Sequence, residues 1–282
     1  YKGRTPLKIK EPIKLGDLGI NFCKIKAKNI DDAYRFFKTD NVALTPPSVD
    51  PAGNRTFFVN DPFGNLFQIV EGGGWFLDEG KPTGGAFGAI IGVTDIEKSM
   101  SVYADILGYK DVAYDVTGKF EDFKDLNGGD SKVRRVLLKN PATFVGPFSK
   151  LFGQSEIELV SVLNEPVKKI YEGRFWGDPG FIHLCYDIQG MDKLKAYCAS
   201  KGFNFTVDSN PDLGSFSMGE AAGHFSYIED PDGTLIEFVE THKVPVIKKL
   251  GWYIDIKKRK VGESLPSWII KAMRFSKVKQ AN

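Results

Sequence analysis

One strand–turn–strand unit occurs twice in this chain, and that repeat restricts the fold more than any other feature. Residues 57–71, FFVNDPFGNLFQIVE, lie over residues 226–240, SYIEDPDGTLIEFVE, without a gap. The turn residues coincide, Asp61-Pro62-Phe63-Gly64 with Asp230-Pro231-Asp232-Gly233. Proline presets φ and glycine accepts a positive φ, so both tetrapeptides reverse the chain. The flanking segments are rich in β-branched and aromatic residues and predict paired strands. A carboxylate, Glu237, sits inside the apolar run Leu235-Ile236-Glu237-Phe238-Val239, and Gln68 takes its place in the first copy. A lone Glu in a strand ordinarily faces solvent. Its recurrence as a polar position in a repeated unit argues for a second reading, a functional one.

Each copy has a matching opening. Residues 20–33 (INFCKIKAKNIDDA) and 181–194 (FIHLCYDIQGMDKL) each read as a strand, a polar break and a helix start. A third opening runs over residues 87–109, FGAIIGVTDIEKSMSVYADILGY. There Thr94 and Glu97 have capping-box spacing, Ile96, Met100 and Tyr103 recur at helical spacing, and Gly108 ends the helix.

These openings and closings, in this order, resemble the vicinal oxygen chelate superfamily, which includes glyoxalases, bleomycin-resistance proteins and extradiol dioxygenases. The resemblance covers residues 20–242 in three modules. It implies an α+β fold of repeated βαβββ modules, paired into cupped mixed β-sheets. The expected organisation is a non-catalytic N-terminal module over residues 1–78, a pair of modules over 79–243 and a basic, aromatic extension over 244–282. With three modules visible, the first needs a partner: a module upstream of Tyr1, another chain, or the second pair.

Composition excludes several classes. Charged residues make up 26% and hydrophobic residues 42%, ordinary for a soluble domain. No apolar run approaches a membrane span. Cys23, Cys185 and Cys198 are scattered without CxxC spacing, which argues against a disulfide framework or thiolate metal site. No nucleotide or phosphate loop is present, since the run Gly72-Gly73-Gly74 lacks the lysine and helix such a loop needs. The chain begins at Tyr1 rather than methionine, so a removed upstream piece such as a signal peptide is one expectation. The compartment stays open, with the cytoplasm favoured. The segment 243–282 carries eleven Lys and Arg against Asp255 and Glu263. In one reading Leu265, Trp268, Ile269, Ala272 and Met273 form a helical stripe packed on the modules, with Trp252 and Trp268 buried. In the other the tail is a basic amphipathic anchor for an anionic membrane surface. No motif accompanies the charge that would indicate nucleic acid.

The resemblance also implies a site. Family ligands come from the first and last strands of paired modules, which in this chain correspond to His183 and Glu237 in the third module and Glu158 in the second, with Glu156 on the same strand face. The fourth position is Gly88, where the family often has His or Gln, and the first module offers only Phe22 and Gln68. One divalent ion (Zn, Mn, Fe, Ni or Mg) held by Glu158, His183 and Glu237 is therefore expected, with water or substrate at the place Gly88 leaves open. Two facing carboxylates would otherwise repel. Glu237, His224, Tyr227 and Tyr103 are candidates for acid, base or ligand-orienting roles, against the alternative of ordinary packing or strand positions. The implied function is a glyoxalase-like metal-dependent enzyme of lyase, isomerase or dioxygenase type, acting on a small substrate with neighbouring oxygens. The alternative is a metal-free binding or resistance protein on the same fold.

Overall fold

The structure is a computed structural model describing all residues except 1–2, 10, 40–41, 43–44, 141–144, 210–215, 219–220, 248–251 and 273–282. The first module consists of β1 (Gly19–Ala27), α1 (Ile30–Thr39), β2 (Ser48–Val49), β3 (Arg55–Asn60) and β4 (Leu66–Glu71). The second has β5 (Thr83–Gly92), α2 (Ile96–Tyr103), β6 (Asp111–Gly118), β7 (Val133–Lys139), the short α3 (Ser149–Phe152) and β8 (Glu156–Val162). The third has β9 (His183–Asp187), α4 (Met191–Ser200), β10 (Val207–Asp208), β11 (Phe216–Met218), β12 (Ala221–Glu229) and β13 (Leu235–Ile247). β14 (Trp252–Asp255) and α5 (Ser267–Ala272) follow. The fold is mixed α+β with curled mixed sheets, as the repeat predicts.

The repeated turns have the same local cause. Asp61 accepts from the backbone N–H of Phe63 and of Asn65, both at 2.8 Å. Asp230 accepts from Asp232 at 3.0 Å and Thr234 at 2.7 Å. Gly64 and Gly233 take φ of 88° and 92°, a region open to glycine at little cost. The side chain of the leading Asp thus organises each hairpin, a role the proline and glycine alone do not reveal.

The chain divides into two compact units. One comprises Tyr1–Ala142, Gln154–His183 and Asp230–Thr234; the other comprises Thr143–Gly153, Leu184–Glu229 and Leu235–Asn282. The first unit is built on an eight-stranded sheet of order β2-β3-β4-β1-β5-β8-β7-β6. That order is a palindrome about the antiparallel β1/β5 pair, so the first two modules are related by a pseudo-twofold. One face is packed by helix: Ile30 and Ala33 of α1 meet Ala27, Phe57, Val59 and Ile69. The opposite face carries Phe22, Phe58, Ile90, Val133 and Val160, packed with Leu15 and Phe123. Alternation along each strand separates the two sets.

Four expectations are corrected here. The sequence reading pairs the second module with the third, whereas the hydrogen-bonded sheet joins the second to the first and the third lies in a separate six-stranded sheet. The pattern inside a module does not specify which equivalent edge its first strand pairs with. Thr94 is not the cap of α2: Asp95 is, accepting from the N–H of Lys98 at 3.0 Å. Thr94 instead donates its hydroxyl to Asp232 at 2.7 Å. Finally, Trp252 and Trp268 are exposed, at 49% and 59%, while Leu265, Ile269 and Ile270 are buried. The buried stripe of α5 is thus rotated off the tryptophan. Met273, placed on that stripe by spacing, lies outside the described residues. β13 runs on to Ile247 and pairs with β14, so the boundary expected at residue 244 falls within a strand.

Candidate functional site

The helix-free face of the first sheet carries a buried charge cluster that no motif announces. Lys24 on β1 donates to Glu156 at 2.8 Å and lies 3.0 Å from Glu158, both on β8. Arg135 on β7 donates through Nε to Glu158 at 2.7 Å and through Nη1 to Asp122 at 2.8 Å. Its guanidinium stacks 3.6 Å over the ring of Phe123. The side chains of Lys24, Arg135 and Glu158 have no solvent exposure. The segment between β6 and β7, which reads in sequence as an insertion of mixed polarity, packs Phe120, Phe123 and Leu126 against this face.

Charges this deep persist only when paired and hydrogen-bonded. Burial pushes the Glu158 carboxyl upward, but Arg135 and Lys24 outweigh it and hold it down at about 2. Burial likewise opposes the Lys24 ammonium, and Glu158 with Glu156 overcomes that and raises it. Asp122 is shifted the other way, because burial exceeds the help it receives from Arg135.

The pseudo-twofold makes the two modules directly comparable. Lys24 pairs with Gln68 across β1/β4, and Ile90 pairs with Glu158 across β5/β8. Gln68 and Glu158 are therefore equivalent positions, as the resemblance implies. Gln68 is wholly buried, and neither of its side-chain polar atoms has a partner among the described residues. Asp122 Oδ2 also lacks one.

The surroundings of Glu158 do not fit it as a free ligand of a divalent ion. The carboxylate of Glu158 already lies against two protein cations, Lys24 and Arg135, which offset its charge. Among the described residues no three His, Cys, Asp or Glu side chains gather into a ligand group. Nor does Gly88 open a coordination place: a Cβ there would lie 2.3 Å from the carbonyl oxygen and 3.1 Å from Cγ of Glu156. Glycine at position 88 lets β8 approach, and a histidine could not occupy it without displacing that strand.

In the second unit, Tyr227 and Glu237 are directly opposed across β12/β13, and the tyrosine hydroxyl donates to the carboxylate. The equivalent pair in the first module is Phe58 and Gln68. One oxygen more on the ring gives Glu237 the partner that Gln68 lacks among the described residues. Cys185 is an exposed residue that lies against Glu237, and desolvation at its sulfur together with that carboxylate raises its thiol, so it is not a thiolate nucleophile at neutral pH. Burial and the nearby Glu240 raise Asp187 to about 7.

The other sequence candidates have described contacts of their own. His224 is an odd number of residues from Tyr227, hence on the opposite strand face, and meets Asp208 at 2.5 Å. Tyr103 is buried and donates to Asp230 at 2.9 Å, a structural tie between α2 and the turn. His183 stacks on Trp176, ring centroids 5.2 Å apart. Sequence reasoning missed Lys24, Arg135 and Asp122. The signal was present for two of them, since Lys24 in NFCKIKA and Arg135 in VRRVLLK are charges inside apolar strands, the same anomaly that singles out Glu237.

Paired βαβββ modules with inward-facing polar positions on the first and last strands define a protein class, and the comparisons agree. The model of the Glyoxalase/Bleomycin resistance protein/Dioxygenase superfamily matches residues 87–238. The chain belongs to this superfamily. No curated protein matches it. Among solved structures, a "putative dioxygenase" of Bacillus subtilis is similar with a TM-score of 0.52 at 17% identity, over 80% of this chain and 63% of that one. Glyoxalase I of Zea mays gives 0.48 at 16% identity, over 80% and 68%. A mutant 4-hydroxymandelate synthase of Streptomyces coelicolor gives 0.43 at 12%, over 83% and 66%. The Bacillus likeness establishes the fold alone, and the chain spans less than two thirds of that protein's length. Among the described residues no helix is long and apolar enough to cross a membrane.

Proposed function

We propose that this chain is a metal-independent small-molecule-binding member of the superfamily, its ligand recognised on the helix-free face of the eight-stranded sheet. The observation that carries this reading is the Lys24 ammonium seated between Glu156 and Glu158. It supplies, from the protein, the positive charge that a divalent ion would bring to these carboxylates. A metal-held vicinal oxygen substrate is therefore not the reading favoured for this face.

The ligand's chemistry follows from the groups left over. Gln68 offers a carbonyl acceptor and an amide NH2 with two donors, and Asp122 Oδ2 a further acceptor. Phe22 and Phe58 meet edge to face at 5.1 Å beside Gln68. A neutral ligand with a flat apolar body and an amide-like donor–acceptor edge fits these needs, because Lys24 and Arg135 are already engaged by Glu156, Glu158 and Asp122. Such a ligand makes good the cost of a buried, unpaired amide.

The test is to extract small molecules from the native full chain and from the Gln68→Leu variant, and to compare them by mass spectrometry. A compound retained by the wild type and absent from a folded Gln68→Leu protein supports the reading. Equal retention by both, or retention only with a stoichiometric divalent ion, refutes it.

A further inference from the structure

The second unit carries an exposed surface whose chemistry differs from the rest of the chain. Residues 145–152 are tied to the C-terminal segment by backbone bonds from Gly146 N–H to the Gly262 carbonyl at 3.1 Å and from Leu265 N–H to the Pro147 carbonyl at 2.9 Å. A 2.6 Å bond between the hydroxyls of Ser149 and Ser264 adds to them. Leu265 is wholly buried under this junction, and Ile269 and Ile270 of α5 are buried as well. Large apolar groups of the segments so joined project into water. Val145 is 71% exposed, Val261 79%, Phe152 57% and Trp268 59%. Val145 lies beside Gly262, next to Val261 in sequence.

The same stretch is basic. Lys150, Lys260 and Lys271 are exposed, and no acid is paired with them among the described residues. The segment 243–282 contributes eleven Lys and Arg against two acids, while the remainder of the chain is net acidic. Aliphatic and tryptophan side chains set among lysines are what an interfacial site requires: apolar groups enter the headgroup boundary while the ammonium groups remain at the phosphate level.

We propose that this junction of residues 145–152 with the C-terminal segment is a peripheral docking surface for an anionic lipid bilayer, with Val145, Val261 and Trp268 as the inserting groups and Lys150, Lys260 and Lys271 as the headgroup contacts. An acidic protein or a nucleic acid would match the lysines but would leave the apolar groups without a role.

Co-sedimentation of the full chain with vesicles of phosphatidylcholine alone, and of phosphatidylcholine with phosphatidylserine, tests it. Binding is expected to the anionic vesicles only and to fall as salt rises. Replacing Lys150, Lys260 and Lys271 by Glu is expected to weaken it more than about tenfold. The pair Val261→Glu and Trp268→Glu, both on exposed positions that leave the core intact, is expected to weaken it comparably. Absence of binding to the anionic vesicles overturns the proposal, as does equal binding to both kinds. Undiminished binding by either variant, or retention of the lysine-dependent interaction on soluble polyglutamate in preference to vesicles, also overturns it.

Discussion

The ammonium of Lys24 lies 3.0 Å from the carboxylate of Glu158, and neither side chain has any exposed surface. Glu156 and Arg135 complete the arrangement. Removing one member leaves a buried charge without its counterpart, which is far costlier than never having placed the pair there. Lys24→Met is therefore expected to destabilise the protein by about 3–5 kcal/mol in urea unfolding. Adding Glu158→Gln to that background is expected to restore part of the loss. Equal stability of Lys24→Met and wild type would contradict the cluster's structural role.

The same pair sets an acid limit. The folded pKa of Glu158 is depressed to about 2, so its contribution is complete above the ordinary carboxylate range and is lost as pH falls through that range to about 2. Asp187 acts with opposite sign: its folded value is raised to about 7, so it penalises the native state increasingly as pH rises from about 4 to 7. Asp187→Asn is expected to stabilise the protein above pH 7 by about 1–2 kcal/mol and to change nothing below pH 4. Thermal melts at pH 3.5 and 8 distinguish these outcomes.

Gly88→His places the family's usual ligand type at its usual position, yet a Cβ there meets the Glu156 carbonyl at 2.3 Å. The expected result is a loss of about 1–3 kcal/mol, as for other overpacked sites, with no divalent-ion affinity gained. A stable variant that binds zinc would show that the strand yields and that the fourth ligand place is open.

Tyr227→Phe is expected to cost about 1–3 kcal/mol, because it strips Glu237 of its hydroxyl donor. The double change Tyr227→Phe with Glu237→Gln recreates the Phe58/Gln68 pairing of the first module and is expected to recover stability. Additive losses in the double variant would argue that the two residues do not act as a pair.

The modules were legible because their signals are local. The Asp-Pro-x-Gly turn, the flanking alternation and the helix starts are each settled within a few residues, and their repetition made them reliable. Module pairing was not legible, because all three first strands have similar edges and the choice between them is made by tertiary packing. The site was legible only in part. Glu237 was found as an acid in an apolar strand and Glu158 through the resemblance, but the identity of the counter-charge was not. Lys24 is 132 residues from Glu156 and Arg135 is 23 from Glu158, separations at which spacing conveys no partnership. Glu237 and Tyr227 are ten apart across one hairpin, close enough for the turn to fix their register.

The most direct test of the account is elemental analysis of the full chain, purified without chelator and dialysed against trace Zn, Mn, Fe, Ni and Mg, alongside the Glu158→Gln variant. The account predicts no ion bound in stoichiometric amount whose retention depends on Glu158, because Lys24 and Arg135 already neutralise that carboxylate. One ion per chain in the wild type, lost in a folded Glu158→Gln protein, would contradict it.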